Sequence, residues 1–147
     1  MKSKVQTDGI VGQVARIRER ANLFVERELR KVNLEGVLPA HGSILYFLFQ
    51  QERPISMKEV VEKVGRVKST VTGMIKTLEQ YGYVQKKASP EDGRVMLVQL
   101  TEKGRAIKPQ FDAISVRLQA KLYGEMREAD RAVLARLLKQ VCANLAD

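Results

Sequence analysis

The sequence predicts a mainly α-helical domain that carries one small β-hairpin. Three observations predict it. Apolar residues return every three or four positions through five separate segments, the spacing of one helical face. A single stretch, Met96, Val98 and Leu100, alternates instead, as a half-buried strand does. Finally, Pro39, Gly65 and Gly82 stand where those helical stripes begin or stop.

Taken in order, Ile10 to Val32 forms the first helix, with Ile10, Val14, Ile17, Ala21 and Phe24 on one stripe and Val25, Leu29 and Val32 extending it. Asn33 to Leu38 breaks the pattern. Pro39 suits the first turn of a second helix, where its missing N–H would have no partner anyway. That helix runs to about Phe49 and is apolar nearly all round (Ile44, Leu45, Phe47, Leu48, Phe49), so it belongs at the centre. After Glu52-Arg53-Pro54, Ile55 reads as a short strand. Ser56 caps a third helix, with Glu59 three residues on completing a capping-box pattern. Met57, Val60, Val61 and Val64 give this helix its inner face, and Gly65 ends it. The fourth helix, Lys68 to Tyr81, turns Val71, Met74, Ile75 and Leu78 inward and stops at Gly82. Tyr83 to Ala88 and Val95 to Leu100 are the two strands, joined by a turn too polar to be core. Thr101 caps a fifth helix that bends or restarts near Pro109 and runs to about Gly124. The last helix, Glu128 to Leu145, has a heptad-like stripe of Leu134, Leu137, Leu138, Val141 and Leu145.

The 147 residues fit one domain with a real core, and 44% hydrophobic with 29% charged residues excludes wholesale disorder. A net charge of +9 favours an anionic partner, nucleic acid ahead of a membrane surface. The excess is spread out: +3 over residues 1–38, +4 over 51–105 and +2 over 106–147. A lone Cys142 excludes an internal disulfide and suits a reducing compartment. The basic start, Met1-Lys2-Ser3-Lys4, has no apolar signal core behind it, and Val37 to Gln51 is too short and polar to span a bilayer. A cytoplasmic location is therefore expected, with no membrane partner.

The order of helix, tight turn, helix and hairpin from Pro54 to Gly104 describes a winged helix-turn-helix. Its fourth helix would lie in the major groove of duplex DNA, with Ser69, Thr70, Thr72, Gly73, Lys76 and Thr77 outward. Hydroxyls and a lysine bond phosphates and base edges, and a glycine lets the backbone come close. Such a face also occurs on ordinary solvated helices, so the hairpin weighs in the choice. Lys86 and Lys87 lie on its first strand. Asp92 stands two residues before Arg94, a spacing that lets its carboxylate hold loop amides and the guanidinium. A held arginine suits the negative potential of a narrow minor groove.

These residues resemble the MarR (multiple antibiotic resistance regulator) family. The resemblance is carried by Ser69-Thr70-Val71-Thr72, Leu78-Glu79-Gln80-Tyr81-Gly82-Tyr83-Val84, Ser89-Pro90-Glu91-Asp92-Gly93-Arg94 and Val98-Gln99-Leu100-Thr101-Glu102-Lys103-Gly104. It implies a winged-helix homodimer on palindromic operators, usually a repressor, released by small, often aromatic or phenolic, ligands or by oxidation. It also implies Arg94 in the minor groove and Ser69, Thr70, Thr72 and Lys76 facing the major groove. Where the family often has Ser or Thr as helix cap, this chain has Val67. Where the turn residue is usually apolar it has Arg66, which is expected to join Lys68 and the rest at the DNA. A basic residue is frequent where Gly73 stands.

The layout expected is one domain: residues 39–105 read DNA, while about 10–38 and 106–147 supply N- and C-terminal dimerisation helices. Ile10, Val14 and Ile17, with Leu134, Leu137, Leu138, Val141 and Leu145, would form a twofold interface. Part of that area could instead be covered by the first and last helices packing on each other. His41, Tyr46 and Phe47 are candidate effector-pocket residues, although such residues are more often core, and a lone His41 makes a poor metal site. Cys142 beside Val141 is expected to be packed and inert. With one His, one Cys, no phosphate-cradling glycine loop and no nucleophile–base pair, the residues suggest no enzyme, metal or cofactor. The alternative function is a winged-helix module for protein–protein assembly, which would lack strong salt-dependent DNA binding.

Overall fold

The computed structural model describes residues 9–146. Helix α1 spans Ile10–Lys31 and ends against a loop containing Asn33 at φ 54°. The second helix opens differently from expectation. Pro39–His41 form a 3-10 turn, and α2 begins only at Gly42, ending at Phe49. His41 is the cause, because its Nδ1 accepts the Leu38 N–H at 2.9 Å and holds the tighter turn.

Strand β1 (Ile55–Ser56) leads into α3 (Met57–Val64). The Ser56 hydroxyl accepts the Glu59 N–H at 3.1 Å, so the expected cap is formed. Its reciprocal half is not, since the Glu59 carboxylate turns to Arg53 at 3.6 Å. Gly65, at φ 68°, ends α3 in the left-handed conformation that suits glycine. Helix α4 is Lys68–Gln80, and β2 (Val84–Ala88) and β3 (Met96–Leu100) form the hairpin. The sheet order is β1-β3-β2, antiparallel throughout, with Ile55 opposite Val98 and Val84 opposite Leu100.

Past the hairpin the chain restarts instead of bending. Helix α5 is Glu102–Ala106, and α6 is Lys108–Tyr123 with Pro109 in its first turn, where no N–H is needed. Helix α7 spans Glu128–Asn144.

The core lies where α2, α3 and α4 meet one face of the sheet. Ile44, Leu45, Ile55, Val60, Val71, Ile75, Leu78 and Val98 are fully buried there. Each such side chain contributes roughly 1.5–3 kcal/mol by leaving water. Helix α1 packs along α6. An ion pair reinforces that contact: the buried Glu28 carboxylate accepts from Arg117 Nε of α6 and from Lys31 Nζ, both at 2.9 Å. Helix α7 has no buried residue. Cys142, expected to be packed, is accordingly exposed in the protomer, on a helix that buries none of its residues there.

Candidate nucleic-acid interface

Helix α4 is seated by Val71, Ile75 and Leu78, all buried, with Met74 half-buried beside them. A 3.6-residue repeat then leaves Ser69, Thr70, Thr72, Gly73 and Lys76 on the solvent face, and all five are exposed. Arg66 and Lys68, at the turn, are exposed as well. The Thr72 hydroxyl donates to the Lys68 carbonyl at 2.8 Å, and that of Thr77 to the Gly73 carbonyl at 3.1 Å. The Thr72 hydroxyl is exposed and keeps lone pairs for amino donors on base edges, whereas Thr77, expected outward, is half-buried. A Cβ added at Gly73 would meet nothing within 4 Å, so the space before it is open.

The hairpin tip is closed by the Ser89 N–H on the Val95 carbonyl and the Val95 N–H on the Asp92 carbonyl, at 2.8 and 2.9 Å. Asp92 then holds Arg94 three times. Its Oδ1 accepts the Arg94 backbone N–H at 3.0 Å and Nε at 3.2 Å, and its Oδ2 accepts Nη2 at 3.3 Å. These bonds keep the Asp92 carboxyl below the usual carboxylate range, so it stays ionised. The Arg94 side chain is nevertheless 92% exposed. It is aimed by a neighbour and covered by nothing.

The two wing lysines do not act alike. Neighbouring residues of a strand point to opposite faces, and Lys86 shares the inner face with Val84. There it meets Glu79 of α4, which takes the Lys86 backbone N–H at 3.3 Å and Nζ at 3.5 Å. Lys87 points outward and is exposed. Strand alternation alone could have separated the pair, whereas Glu79, which ties the wing to the helix, emerges only from the packing of β2 on α4.

The base of the wing explains the Leu-Thr-Glu-Lys-Gly run. Thr101 caps α5 through the Gly104 N–H at 3.1 Å, and its own N–H reaches the Tyr83 carbonyl at 3.0 Å. Lys103 Nζ bonds the Tyr81 carbonyl and sits 4.6 Å from the Tyr83 ring centre. Only glycine fits at position 104, because a Cβ there would lie 2.0 Å from the Tyr83 carbonyl oxygen. The Tyr83 hydroxyl donates to the Glu35 carbonyl at 2.7 Å and anchors the wing to the loop after α1.

The candidate effector residues occupy three environments. His41 is buried as a backbone cap, and burial holds its pKa below the ordinary value, favouring the neutral ring. Phe47 packs against the core. Tyr46 keeps an exposed ring, edge-on to Phe111 at 5.9 Å. Among the described residues no cluster of His, Cys, Asp and Glu could hold a metal, and no helix is long and apolar enough to cross a membrane.

A family model described as a winged helix DNA-binding domain matches residues 39–104, the segment from the start of the 3-10 turn to Gly104. The HTH-type transcriptional regulator SarZ of Staphylococcus haemolyticus is 35% identical over 98 residues, covering 67% of this chain. That match spans 65% of SarZ, just under two thirds of its length. The whole fold is shared with solved MarR-type regulators. The PcaV transcriptional regulator of Streptomyces coelicolor, in complex with its natural ligand, superposes with a TM-score of 0.82 at 21% identity, covering 100% of both chains. The chain carries a winged helix DNA-binding domain in a fold whose solved neighbours are MarR-family regulators. Staphylococcus aureus MepR in a DNA complex shares the MarR fold with a TM-score of 0.81 at 17% identity, over 95% of this chain and 98% of MepR. At such identities these structures establish the architecture. It includes α1, α6 and α7, which lie outside the matched winged-helix segment.

Proposed function

We propose that this protein is a MarR-family, sequence-specific transcriptional regulator, a cytoplasmic repressor that binds a palindromic operator as a homodimer. The observation that carries this is the exposed Arg94, held by Asp92, at the tip of a wing tied to the recognition helix α4. A pre-aimed arginine reads a narrow minor groove while Ser69, Thr70, Thr72 and Lys76 meet the adjacent major groove. Arg66, Lys68 and Lys87 add phosphate contacts, and the MepR–DNA complex supports duplex binding by this fold.

Residues 10–38 and 106–147 serve as dimer arms in this proposal. A helix of 17 residues with no buried side chain, such as α7, is marginal in water by itself. Leu134, Leu137, Leu138, Val141 and Leu145 lie exposed along it, as do Ile10, Val14 and Ile17 on α1. A second copy covers both stripes and sets the two α4 helices about one turn of DNA apart. A small aromatic or phenolic effector binding near Tyr46, between arm and winged helix, releases the operator in this proposal, and the ligand complex of PcaV supports ligand binding by this fold.

Selection from random duplexes tests the central claim. The expected product is a palindrome whose half-sites lie about 10 base pairs apart. No enrichment even at low salt refutes it, as does a stable monomer in sedimentation at micromolar concentration. A thermal-shift screen in which no aromatic acid or phenol raises Tm refutes the effector.

A further inference from the structure

Val67 stands immediately before α4 and is 71% exposed. Every other large aliphatic side chain from Met57 to Leu78 is buried or half-buried. Val67 is also the N-cap of α4, at φ −58° and ψ 137°, with no side-chain bond to the first-turn amides. Its carbonyl already accepts the Val71 N–H at 3.1 Å, so the backbone is that of an ordinary cap. Ser, Thr or Asp there would accept one of the unpaired N–H groups, and valine cannot. The residue is thus unfavourable for the isolated chain twice over: it leaves the helix uncapped, and it leaves a branched apolar side chain in water.

What can cover Val67 follows from its position. The N-terminal residues of a recognition helix are those that approach base edges. In the major groove the apolar group presented by a base edge is the thymine 5-methyl. We propose that Val67 packs on a thymine 5-methyl group in each operator half-site and is a specificity-determining residue. This rests on the DNA-binding function proposed above. Exposed Arg66 and Lys68 on either side place Val67 by contacting backbone phosphates, while the aliphatic side chain does the discriminating.

Replacing thymine with uracil removes only that methyl, one position at a time, in the duplex obtained by selection. Wild-type protein should lose about fourfold in affinity at one symmetry-related thymine when one half-site is changed, and about fifteenfold when both are. Val67→Ser should bind thymine and uracil duplexes equally at that position. Without DNA its Tm should rise, because serine restores the cap. Full thymine preference retained by Val67→Ser overturns the assignment, and so does a wild-type protein indifferent to uracil everywhere. In both cases DNA binding itself stands. Failure to bind any duplex removes the DNA-binding function and this contact together.

Discussion

Arg94→Ala separates the wing's role in binding from any role in stability. The side chain is 92% exposed and its recorded bonds all go to Asp92, so the fold loses only a surface ion pair. The melting temperature should therefore stay within about 2 °C of wild type. Binding should change much more, because the arginine contributes a charge-assisted contact and needs little further ordering to make it. The loss expected is about 1–3 kcal/mol per half-site, roughly 5- to 150-fold, and twice that free energy for a symmetric operator. Arg94→Lys distinguishes charge from geometry. Lysine keeps the charge but cannot offer Asp92 two fixed nitrogens, so salt dependence should persist while preference for the selected operator falls. Asp92→Asn completes a cycle. If Asp92 acts by aiming Arg94, it should weaken operator binding in the wild type and not in the Arg94→Ala background. Anisotropy titrations at fixed salt measure the four proteins of the cycle, and a salt series is added for Arg94→Lys. Unchanged affinity in Arg94→Ala, or an equal effect of Asp92→Asn in both backgrounds, refutes the reasoning.

Lys87→Ala should weaken binding to all sequences alike and flatten the salt slope by about one unit per protomer. Lys86→Ala should change that slope far less, because Lys86 is held by Glu79, and titrations from low to moderate salt compare the two. Gly73→Ala places a methyl in open space and removes a helix-interior glycine, so it should stabilise α4 by about 1 kcal/mol and raise Tm. Its operator affinity should fall where the backbone approaches DNA, and a variant that gains both stability and affinity contradicts that close approach. Glu28 gives a pH dependence. The Lys31 hydrogen bond above all, with that of Arg117, lowers its pKa from 4.5 against the opposing effect of burial. Its stabilising contribution is then present above that value and disappears as pH falls through the lower folded-state value. Glu28→Gln should be less stable than wild type near neutrality, and the gap should close in acid; a constant gap in urea melts across pH refutes the linkage.

Local patterns carried far in this protein. The stripe Val71, Ile75 and Leu78 left only one face of α4 free, and the Asp92–Arg94 spacing placed donor and acceptor within reach across Gly93. Both depend on contacts within a few residues, which periodicity and turn chemistry specify. The cap at Ser56 and the left-handed Gly65 were legible for the same reason. Where a nearby alternative existed, the sequence was ambiguous. Glu59 had a backbone amide and Arg53 to choose between, and it chose the arginine. His41 displaced the start of α2 by bonding a backbone amide that no sequence pattern marks.

Distances along the chain decided the rest. Lys86 was captured by Glu79 because the sheet folds its inner face onto α4. Gly104 was required by the approach of the Tyr83 carbonyl, and Glu28 found Arg117 across the α1–α6 contact. Such pairings follow from how whole elements pack, and no local spacing encodes them. Helix α7 marks the boundary between the two kinds of information. Its sequence fixes a helix with a leucine stripe, while the protomer's packing leaves that stripe uncovered. Burial is a property of the assembled surface, and only the tertiary structure reveals which apolar faces remain to be covered.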